Sequence, residues 1–501
     1  MSASARVRLD PRVSIGTLDR RLFGSFVEHL DRCVYTGIYE PGHPTSDAQG
    51  FRQDVIDLVR ELGATVIRYP GGNFVSNYRW EDGVGPQESR PRRRDLAWGV
   101  VDDNSLGTDE FIDWCRVAGV EPMLAVNLGT RGLEEAIDQL EYTNGSDTSL
   151  ADQRVANGHA DPHAVRLWCL GNELDGDWQI GHKTATEYCR LAAEVARAYK
   201  AFDRDLELVA CGSSNRQMAT FGSWEREVLL HCHELVEFVS LHVYYHHPDG
   251  SDLASFLASA VDMDAFIEGV VATADSVAAE LHSDKRIDLS FDEWNVGFSG
   301  RARRPAEEGA DLGGRRPAGL FDTTDAVVVG SLLISLLNHA DRVRVACQAQ
   351  LVNLLAPIVT IPGGPAWRQT IFHPFALTAR HAHASVLIPQ VECEEVPTDR
   401  FGGIPQLHVA ATAGDGEASL FAVNRSPDEP LELTVDLRAF TLDGPSLELA
   451  EHLCVSGPGD LANTLSDPDA VTPQVVPETQ ISNDVLSATL PPASWHVITL
   501  K

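Results

Sequence analysis

LWCLGNELDGDWQIGH, residues Leu167–His182, decides the predicted fold, because a short apolar run ends there in an Asn-Glu pair and the composition then turns polar. A buried strand that delivers a carboxylate to its own carboxyl end is typical of catalytic sites in parallel β/α proteins. The stretch Ile287–Phe298, IDLSFDEWNVGF, has the same character, since its apolar run ends at Glu293. Glu173 and Glu293 are therefore candidate catalytic carboxyl groups.

Eight apolar runs of this kind follow one another, starting near residues 22, 64, 122, 165, 206, 235, 287 and 343. Strands that alternate with helices indicate parallel β/α units, and eight such units close a barrel. The sequence therefore predicts an α/β fold with a (β/α)8 TIM barrel over residues 20–375, in which Glu173 ends strand four and Glu293 ends strand seven. The intervening helices are predicted at Arg52–Leu62, from an N-cap at Thr108 to Val117, and at Thr184–Phe202, Ala265–Leu281 and Ala326–Asn338.

The segments that flank the barrel have a different pattern of apolar and turn-forming residues. Beyond Phe375, short alternating runs separated by Gly, Pro, Asp and Ser predict a C-terminal antiparallel β-sandwich, jelly-roll-like, over residues 376–501. Residues 1–19 form an N-terminal arm with strand-like alternation around Val7–Ile15. Arg301–Gly319, rich in Arg, Pro and Gly, is an insertion after strand seven, either a loop over the site or an unstructured one.

Composition narrows the range of partners. The 501 residues include 40 basic and 73 acidic side chains, a formal charge of −33, which repels nucleic acid and anionic membrane surfaces but not a neutral sugar. No run approaches the ~18 uncharged apolar residues of a membrane helix, and the N-terminus lacks the apolar core of a secretory signal. The nine cysteines sit mostly in apolar runs without CxxC spacing, which predicts reduced thiols in a cytoplasmic protein.

The ends of strands four and seven face each other across a barrel mouth, so the two glutamates can flank one bond. Hydrolysis of a glycosidic bond with retention needs two carboxyl groups about 5–5.5 Å apart, one as nucleophile and one as acid and then base. Side chains suited to a hydroxyl-rich ligand lie at or just past other strand ends. These are Glu28, Arg68, Asn73, Asn172, His242, Tyr244 and Gln350. Trp98, Trp178 and Trp294 are candidate apolar platforms for sugar faces.

Structural roles compete with these assignments. Glu28 and Arg68 are also compatible with a buried salt bridge that supports the site, and Trp178 and Trp294 with simple packing. The histidines His231, His233, His242, His246 and His247 lack a matched set of carboxylates, so they are weak evidence for a metal, and no metal site is predicted.

Longer motifs carry a resemblance to a known family. The chain resembles the α-L-arabinofuranosidases of glycoside hydrolase family 51 at seven stretches. They are FVEHLDRCVYTGIY (26–39), VIRYPGGNFVSNYRWEDGVGP (66–86), LWCLGNELDGDWQIGHKTA (167–185), DEWNV (292–296), AQLVNLLAPI (349–358), GGPAWRQTIFHPF (363–375) and LANTLSDPD (461–469). The resemblance implies a retaining barrel hydrolase without metal or organic cofactor, commonly a hexamer, whose N-terminal arm adds a strand to a C-terminal sandwich.

The resemblance also implies residue roles. It makes Glu173 the general acid/base and Glu293 the nucleophile, with Trp98 lining the pocket and His242 supporting the surroundings of the nucleophile. The residues that it implies bind or orient the arabinofuranosyl ring are Glu28, Arg68, Asn73, Asn172, Tyr244 and Gln350. Two stretches depart from the family pattern, Gly297-Phe298 where an aromatic residue usually follows DEWNV, and YYHHPDG (244–250) in place of YYG.

The expected function is exo-acting release of terminal arabinofuranosyl residues from arabino- or arabinoxylo-oligosaccharides by double displacement. Another retaining glycosidase on the same scaffold, a galactofuranosidase or an endoglucanase, is the nearest alternative, because the catalytic pair does not encode the sugar. A non-catalytic sugar-binding barrel is the alternative of a different class, and it has no need of both glutamates and Asn172. The two departures put leaving-group preference in question rather than the cleavage chemistry.

Overall fold

Eight parallel strands close into a barrel in a computed structural model that describes residues 3–247, 251–297, 319–442 and 444–501. Every neighbouring pair in the barrel is parallel, and the eighth strand pairs with the first. The strands are β1 (Gly24–Phe26), β2 (Val66–Tyr69), β3 (Glu121–Ala125), β4 (Leu167–Leu170), β5 (Glu207–Ala210), β6 (Phe238–Tyr245), β7 (Asp288–Val296) and β8 (Val343–Gln348). The predicted barrel is confirmed, with all eight strands near their predicted positions.

Helices follow or precede these strands as the apolar spacing predicts. They span Gln53–Leu62, Thr108–Ala118, Leu133–Asn144, Ser149–Ala156, Ala185–Phe202, Ser223–Cys232, Leu253–Leu257, Ala260–Leu281, Thr323–Asn338 and Phe372–His381. Short 3-10 turns span Arg20–Leu22, Asn73–Asn77, Trp80–Gly83, Gln87–Ser89 and Phe440–Leu442. The sequence prediction did not include the helices that begin at Leu133, Ser149, Ser223, Leu253 and Phe372.

The predicted N-cap at Thr108 is wrong by one residue. Gly107 is the N-cap and Thr108 is the first helical residue. A Cβ at position 107 would lie 1.8 Å from the carbonyl oxygen of Gly83, so only glycine fits there. The Gly107 amide donates to the Glu110 carboxylate at 2.9 Å, which satisfies a free amide of the first turn without a capping hydroxyl.

The C-terminal region is a sandwich of a seven-stranded and a five-stranded sheet. In order, the larger sheet contains Ser14–Thr17, Ser385–Leu387, Leu407–Gly414, Glu417–Asn424, Ser494–Leu500, Leu449–Val455 and Gln474–Val475. The smaller contains Gln390–Cys393, Ala3–Arg8, Leu431–Asp436, Val485–Leu490 and Gln480–Ser482. Separate hairpins pair Arg93–Arg94 with Val101–Asp102, Ile358–Thr360 with Ala366–Arg368 and Glu395–Thr398 with Gly402–Pro405.

The N-terminal arm enters both sheets of the sandwich. Ala3–Arg8 lies between Gln390–Cys393, to which it is antiparallel, and Leu431–Asp436, to which it is parallel. The predicted strand around Val7–Ile15 is thus two strands, the second being Ser14–Thr17. The helix Phe372–His381 runs across position 375, and the division into residues 1–19, 20–375 and 376–501 stays a prediction.

The helix Thr323–Asn338 joins the barrel to the sandwich. Its residues from Thr323 to Leu337 are all buried, and it contacts four strands of the larger sheet. Gly330 lies at the contact, where a Cβ would be 2.1 Å from the Trp495 ring. The absence of a side chain therefore lets the helix approach the sheet closely.

Several further predictions can be compared with the structure. All nine cysteines are free thiols, and eight of them are buried, as predicted. Over the described ranges, no helix combines the length and the apolar character needed to cross a membrane. The predicted insertion Arg301–Gly319 lies outside the described residues up to Ala318, and so does Phe298.

We expect Gly330→Ala to lower the thermal unfolding midpoint by about 1–2 °C, because a chain of 501 residues shifts by about 1 °C per kcal/mol. Overpacking costs about 1–3 kcal/mol and exceeds the about 1 kcal/mol that alanine gains over glycine in a helix. Gly269→Ala, in the helix Ala260–Leu281, is the matched control, because its added Cβ meets only the tip of Phe221 at 3.1 Å. Calorimetry in which both variants unfold at the wild-type temperature would contradict this account of the contact.

Candidate active site

Glu173 and Glu293 lie together at the carboxyl ends of the barrel strands. One carboxylate oxygen of each and one ring nitrogen of His242 all lie within 4.8 Å of one another. Glu293 is in β7 and pairs with His242 of β6, whereas Glu173 follows β4 in the left-handed region with φ 45°. Glu293 is buried and Glu173 is nearly so. The barrel thus brings together the two glutamates that the sequence selected.

Donors hold both oxygens of Glu293. The Nη1 of Arg68 donates to Oε1 at 2.9 Å, and the hydroxyl of Tyr244 donates to Oε2 at 2.8 Å. The Nη2 of Arg68 donates to Oδ1 of Asn172 at 2.6 Å. Burial alone would lower the pKa of Arg68, but the charges of Asp292 and Glu293 raise it well above its ordinary value. A permanent cation therefore lies against Glu293.

Asp292 is a site residue that the sequence prediction did not include. Its buried carboxylate accepts from Nε2 of His242 at 2.9 Å and lies 3.8 Å from Nε of Arg68. Burial raises its pKa, but Arg68 and His242 outweigh that effect, so the pKa is lowered. Neighbouring residues of a regular strand point to opposite faces. The irregular register of β7 between Phe291 and Trp294 accompanies the inward position of both Asp292 and Glu293.

His242 connects the two halves of the site. Its Nδ1 lies 2.9 Å from Oε1 of Glu173 and 3.7 Å from Oε2 of Glu293, while Nε2 bonds Asp292. Burial lowers the pKa of the imidazole, but the charge of Glu293 and the bonds to Asp292 and Glu173 raise it to about 10. At neutral pH His242 is therefore a cation that donates from both nitrogens. Its direct bond is to Glu173 rather than to Glu293.

Glu28 lies on the other side of the site with neutral partners. Its Oε1 accepts from the amide of Phe74 at 3.1 Å and from Nε1 of Trp98 at 2.8 Å, and its Oε2 accepts from Nε2 of Gln350 at 3.2 Å. Burial and the charge of Glu293 raise the pKa of Glu28 to about 8. Because Arg68 bonds Glu293 and Asn172 instead, the alternative of a Glu28–Arg68 salt bridge is wrong.

The remaining predicted residues divide between the site and the core. Asn73 is half-buried and its Oδ1 lies 3.4 Å from Nδ2 of Asn172. Trp178 is 47% exposed, and its Nε1 donates to Oε2 of Glu173 at 2.7 Å. Trp294 is 0% exposed and packs in the main core, so the prediction of a sugar platform there is wrong and the packing alternative is confirmed.

The chemistry of the cluster favours proton transfer over metal binding. Within the described ranges, Glu173, His242 and Glu293 are the one group of three ligand side chains close enough to share an ion. A metal needs a neutral imidazole with a free lone pair. Both nitrogens of His242 are engaged by carboxylate oxygens at 2.9 Å, so neither has a lone pair directed at a shared ion. The donor set therefore does not fit a metal ion.

Comparisons with known proteins identify the family of the chain. Residues 58–266 match the family model of the α-L-arabinofuranosidase 1 domain, and residues 292–494 match that of the α-L-arabinofuranosidase C-terminal domain. An intracellular exo-α-(1→5)-L-arabinofuranosidase of Streptomyces lividans is 52% identical over 99% of this chain and 75% of its own length. An exo-α-(1→6)-L-arabinofuranosidase of Bifidobacterium longum is 49% identical over 99% of this chain and 97% of its own length.

Solved structures of the same family are also similar to this chain. A family 51 α-L-arabinofuranosidase from Bifidobacterium longum has a TM-score of 0.93 and 44% identity, with 100% of both chains covered. An arabinose complex of the Thermotoga maritima α-L-arabinofuranosidase has a TM-score of 0.85 and 32% identity, over 99% of both chains. The parallel barrel, the two adjoining carboxyl groups at its mouth and these relatives together define a glycoside hydrolase. The chain belongs to the α-L-arabinofuranosidases of glycoside hydrolase family 51.

The raised pKa of Glu28 predicts a pH-dependent stability. Between its ordinary value of 4.5 and about 8, the folded protein keeps a proton that the unfolded chain releases. The free energy of unfolding therefore falls through this window as pH rises. We expect Glu28→Gln, which keeps the shape and an acceptor oxygen, to remove this fall. The free energy of unfolding of the variant, relative to that of wild type, should therefore increase from pH 5 to pH 8.

Urea unfolding at pH 5, 6, 7, 8 and 9 measures the effect, with Glu88→Gln on the exposed surface as the control. The control curve should run parallel to wild type. Parallel curves for Glu28→Gln as well would show that Glu28 does not hold its proton in the folded state.

Proposed function

We propose that this chain is an exo-acting, retaining α-L-arabinofuranosidase that works by double displacement. The observation that carries the proposal is the approach of the Glu173 and Glu293 oxygens to within 4.8 Å. Retaining glycosidases hold their carboxyl groups about 5–5.5 Å apart, whereas inverting ones need about 6.5–9.5 Å to admit a water molecule. The exo mode has support from the printed names of the Streptomyces and Bifidobacterium relatives.

Glu293 acts as the nucleophile. Its carboxylate attacks the anomeric carbon and forms a covalent glycosyl-enzyme as the bond to the leaving oxygen breaks. Arg68 and Tyr244 donate to its two oxygens and so fix its direction. The neighbouring cation favours an anion at this position, which is the form that attacks.

Glu173 acts first as the acid and then as the base. It gives its proton to the leaving oxygen and later takes one from the water that hydrolyses the glycosyl-enzyme. Arg68 and His242 place two positive charges against Asp292 and Glu293 beside it.

The other polar residues bind the sugar in this proposal. Asn172, next to Glu173 and bonded to Arg68, is placed to bond a hydroxyl beside the reacting carbon. Glu28, Gln350 and Trp98 form one bonded group with donors and acceptors for further hydroxyls. Tyr244 and Asn73 complete the ring-binding set. His242 orients Glu173 and adds positive charge near Glu293.

The proposed substrates are arabino- and arabinoxylo-oligosaccharides. Relatives from Streptomyces lividans and Bacillus subtilis are named for (1→5) linkages, and one from Bifidobacterium longum is named for (1→6) linkages. The departures at Gly297 and at His246-His247 make linkage preference a property of this chain to be measured. Rates on matched (1→5)- and (1→6)-linked disaccharides, with galactofuranoside and glucan as comparison substrates, would distinguish the candidates.

We also propose a cytoplasmic location and a homo-oligomer, a hexamer by family resemblance. The location has support from the word "intracellular" in the names of several relatives. Light scattering should give a mass near six times 54.6 kDa. A monomeric mass at micromolar concentration would contradict the assembly but not the chemistry.

We expect Glu293→Ala to lower kcat on 4-nitrophenyl α-L-arabinofuranoside by at least about 1000-fold, because no covalent intermediate forms. Glu173→Ala should cost about 100- to 10,000-fold on a disaccharide, whose leaving oxygen needs a proton. Its loss in kcat/KM on the nitrophenyl substrate should be much smaller. Glu88→Ala on the surface is the control and should match wild type.

Proton NMR during early turnover tests retention directly. The first arabinose released should be the α anomer, and the β anomer should grow in only by mutarotation. Initial release of the β anomer would contradict double displacement, and full activity of Glu293→Ala would contradict its role as nucleophile.

A further inference from the structure

Trp178 has a bond that neither a sugar platform nor simple packing explains. It lies in the turns that follow β4, five residues after Glu173. Its ring is 47% exposed, and its Nε1 donates to Oε2 of Glu173 at 2.7 Å. Because indole nitrogen is a donor only, this bond has a fixed direction and requires an acceptor lone pair on Glu173.

The local chain is built to fold this indole back over the turn. Gly176 permits the fold, since a Cβ there would lie 2.4 Å from two carbons of the Trp178 ring. The next residue, Gln179, is buried and donates to the hydroxyl of Ser76 in the segment after β2. Lys183 donates through its amide to the carbonyl of Leu174 at 2.7 Å, which closes the turn. The ring is thus held between two anchored points.

Glu173 has a fixed donor at each oxygen as a result. His242 donates to Oε1 from inside the barrel, and Trp178 donates to Oε2 from the exposed side. Two donors on opposite oxygens set the plane of a carboxyl group and limit the lone pairs that can carry its proton. They also favour its ionised form, which must be regained in each catalytic cycle.

We propose that Trp178 is a positioning residue for the acid/base: its indole N–H orients the Glu173 carboxyl and favours release of the proton to the leaving oxygen. The inference rests on the proposed function of Glu173 and adds a residue to it. Trp178 need not touch the reacting atoms for this role. Its contribution should therefore depend on how much the leaving group needs a proton.

The first test compares two leaving groups in the variant Trp178→Phe, which keeps an aromatic ring and removes the donor. We expect kcat/KM to fall at least about 10-fold on an α-(1→5)-arabinofuranosyl disaccharide. On 2,4-dinitrophenyl α-L-arabinofuranoside, whose dinitrophenolate leaves without protonation, kcat/KM should fall no more than about 3-fold. The unequal loss identifies an effect on acid catalysis.

Trp98→Phe is the matched control, because it removes the same kind of donor from a different carboxyl group, Glu28. This variant should lower kcat/KM on both substrates by a similar factor, since Glu28 does not protonate the leaving group. Gly176→Ala tests the geometry without changing Trp178. By displacing the ring it should reproduce the unequal loss of Trp178→Phe.

The second test is the pH profile of kcat/KM on the disaccharide. Removing a donor that favours the ionised carboxyl should move the alkaline limb to higher pH by about 0.5 to 1 unit. The limb in Trp98→Phe should stay closer to wild type. Circular dichroism and the unfolding midpoint confirm that each variant is folded.

Equal losses on both substrates with an unmoved alkaline limb would overturn the positioning role. Glu173→Gln, measured beside these variants, separates this outcome from failure of the proposed function. If Glu173→Gln does not discriminate between the leaving groups, the acid/base assignment itself fails. If Glu173→Gln discriminates and Trp178→Phe does not, only the role of Trp178 is wrong.

Discussion

Two buried cations hold three carboxylates together at the mouth of the barrel. Arg68 contacts Asp292 and Glu293, and His242 contacts Asp292 and both glutamates, so Asp292 is an anion shared by the two cations. Carboxyl groups this close repel one another when ionised, and burial adds a desolvation cost. The positive charges of the two cations offset both effects. The short separation of the two glutamates depends on this arrangement.

The arrangement also explains why four strands must cooperate. Arg68 comes from β2, Glu173 from the end of β4, His242 from β6 and Asp292 with Glu293 from β7. A parallel barrel sends all these strand ends to one face, where side chains far apart in sequence meet. Its closure by pairing of β8 with β1 completes the ring and brings Gln350, two residues past β8, to Glu28. The fold therefore supplies the geometry and the polar side chains supply the chemistry.

Sequence reasoning reached the barrel, the sandwich and the two glutamates because each has a strong periodic signal. Alternating apolar runs and β/α spacing are properties of single segments, and strand ends follow from them. The sequence does not identify Asp292 as a site residue, because strand alternation predicts that it points away from Glu293. Only the irregular register of β7 brings both side chains inward. The sequence does not indicate the cap at Gly107, because the close approach of Gly83 is a contact between separate segments of the chain. The burial of Trp294 could not be predicted either, because it depends on which distant segments pack around β7.

The N-terminal strand Ala3–Arg8 lies between residues 390–393 and 431–436 of the smaller sheet. During synthesis this strand is made before the barrel strands, yet its two neighbours follow them in the chain. The barrel strands, which end at Gln348, are complete before either neighbour exists. Formation of that sheet therefore closes a loop of more than 380 residues, a late and slow kind of contact. A shortened chain that keeps residues 376–501 but lacks the first ten would leave two strand edges unpaired in the middle of a sheet and would be prone to aggregate.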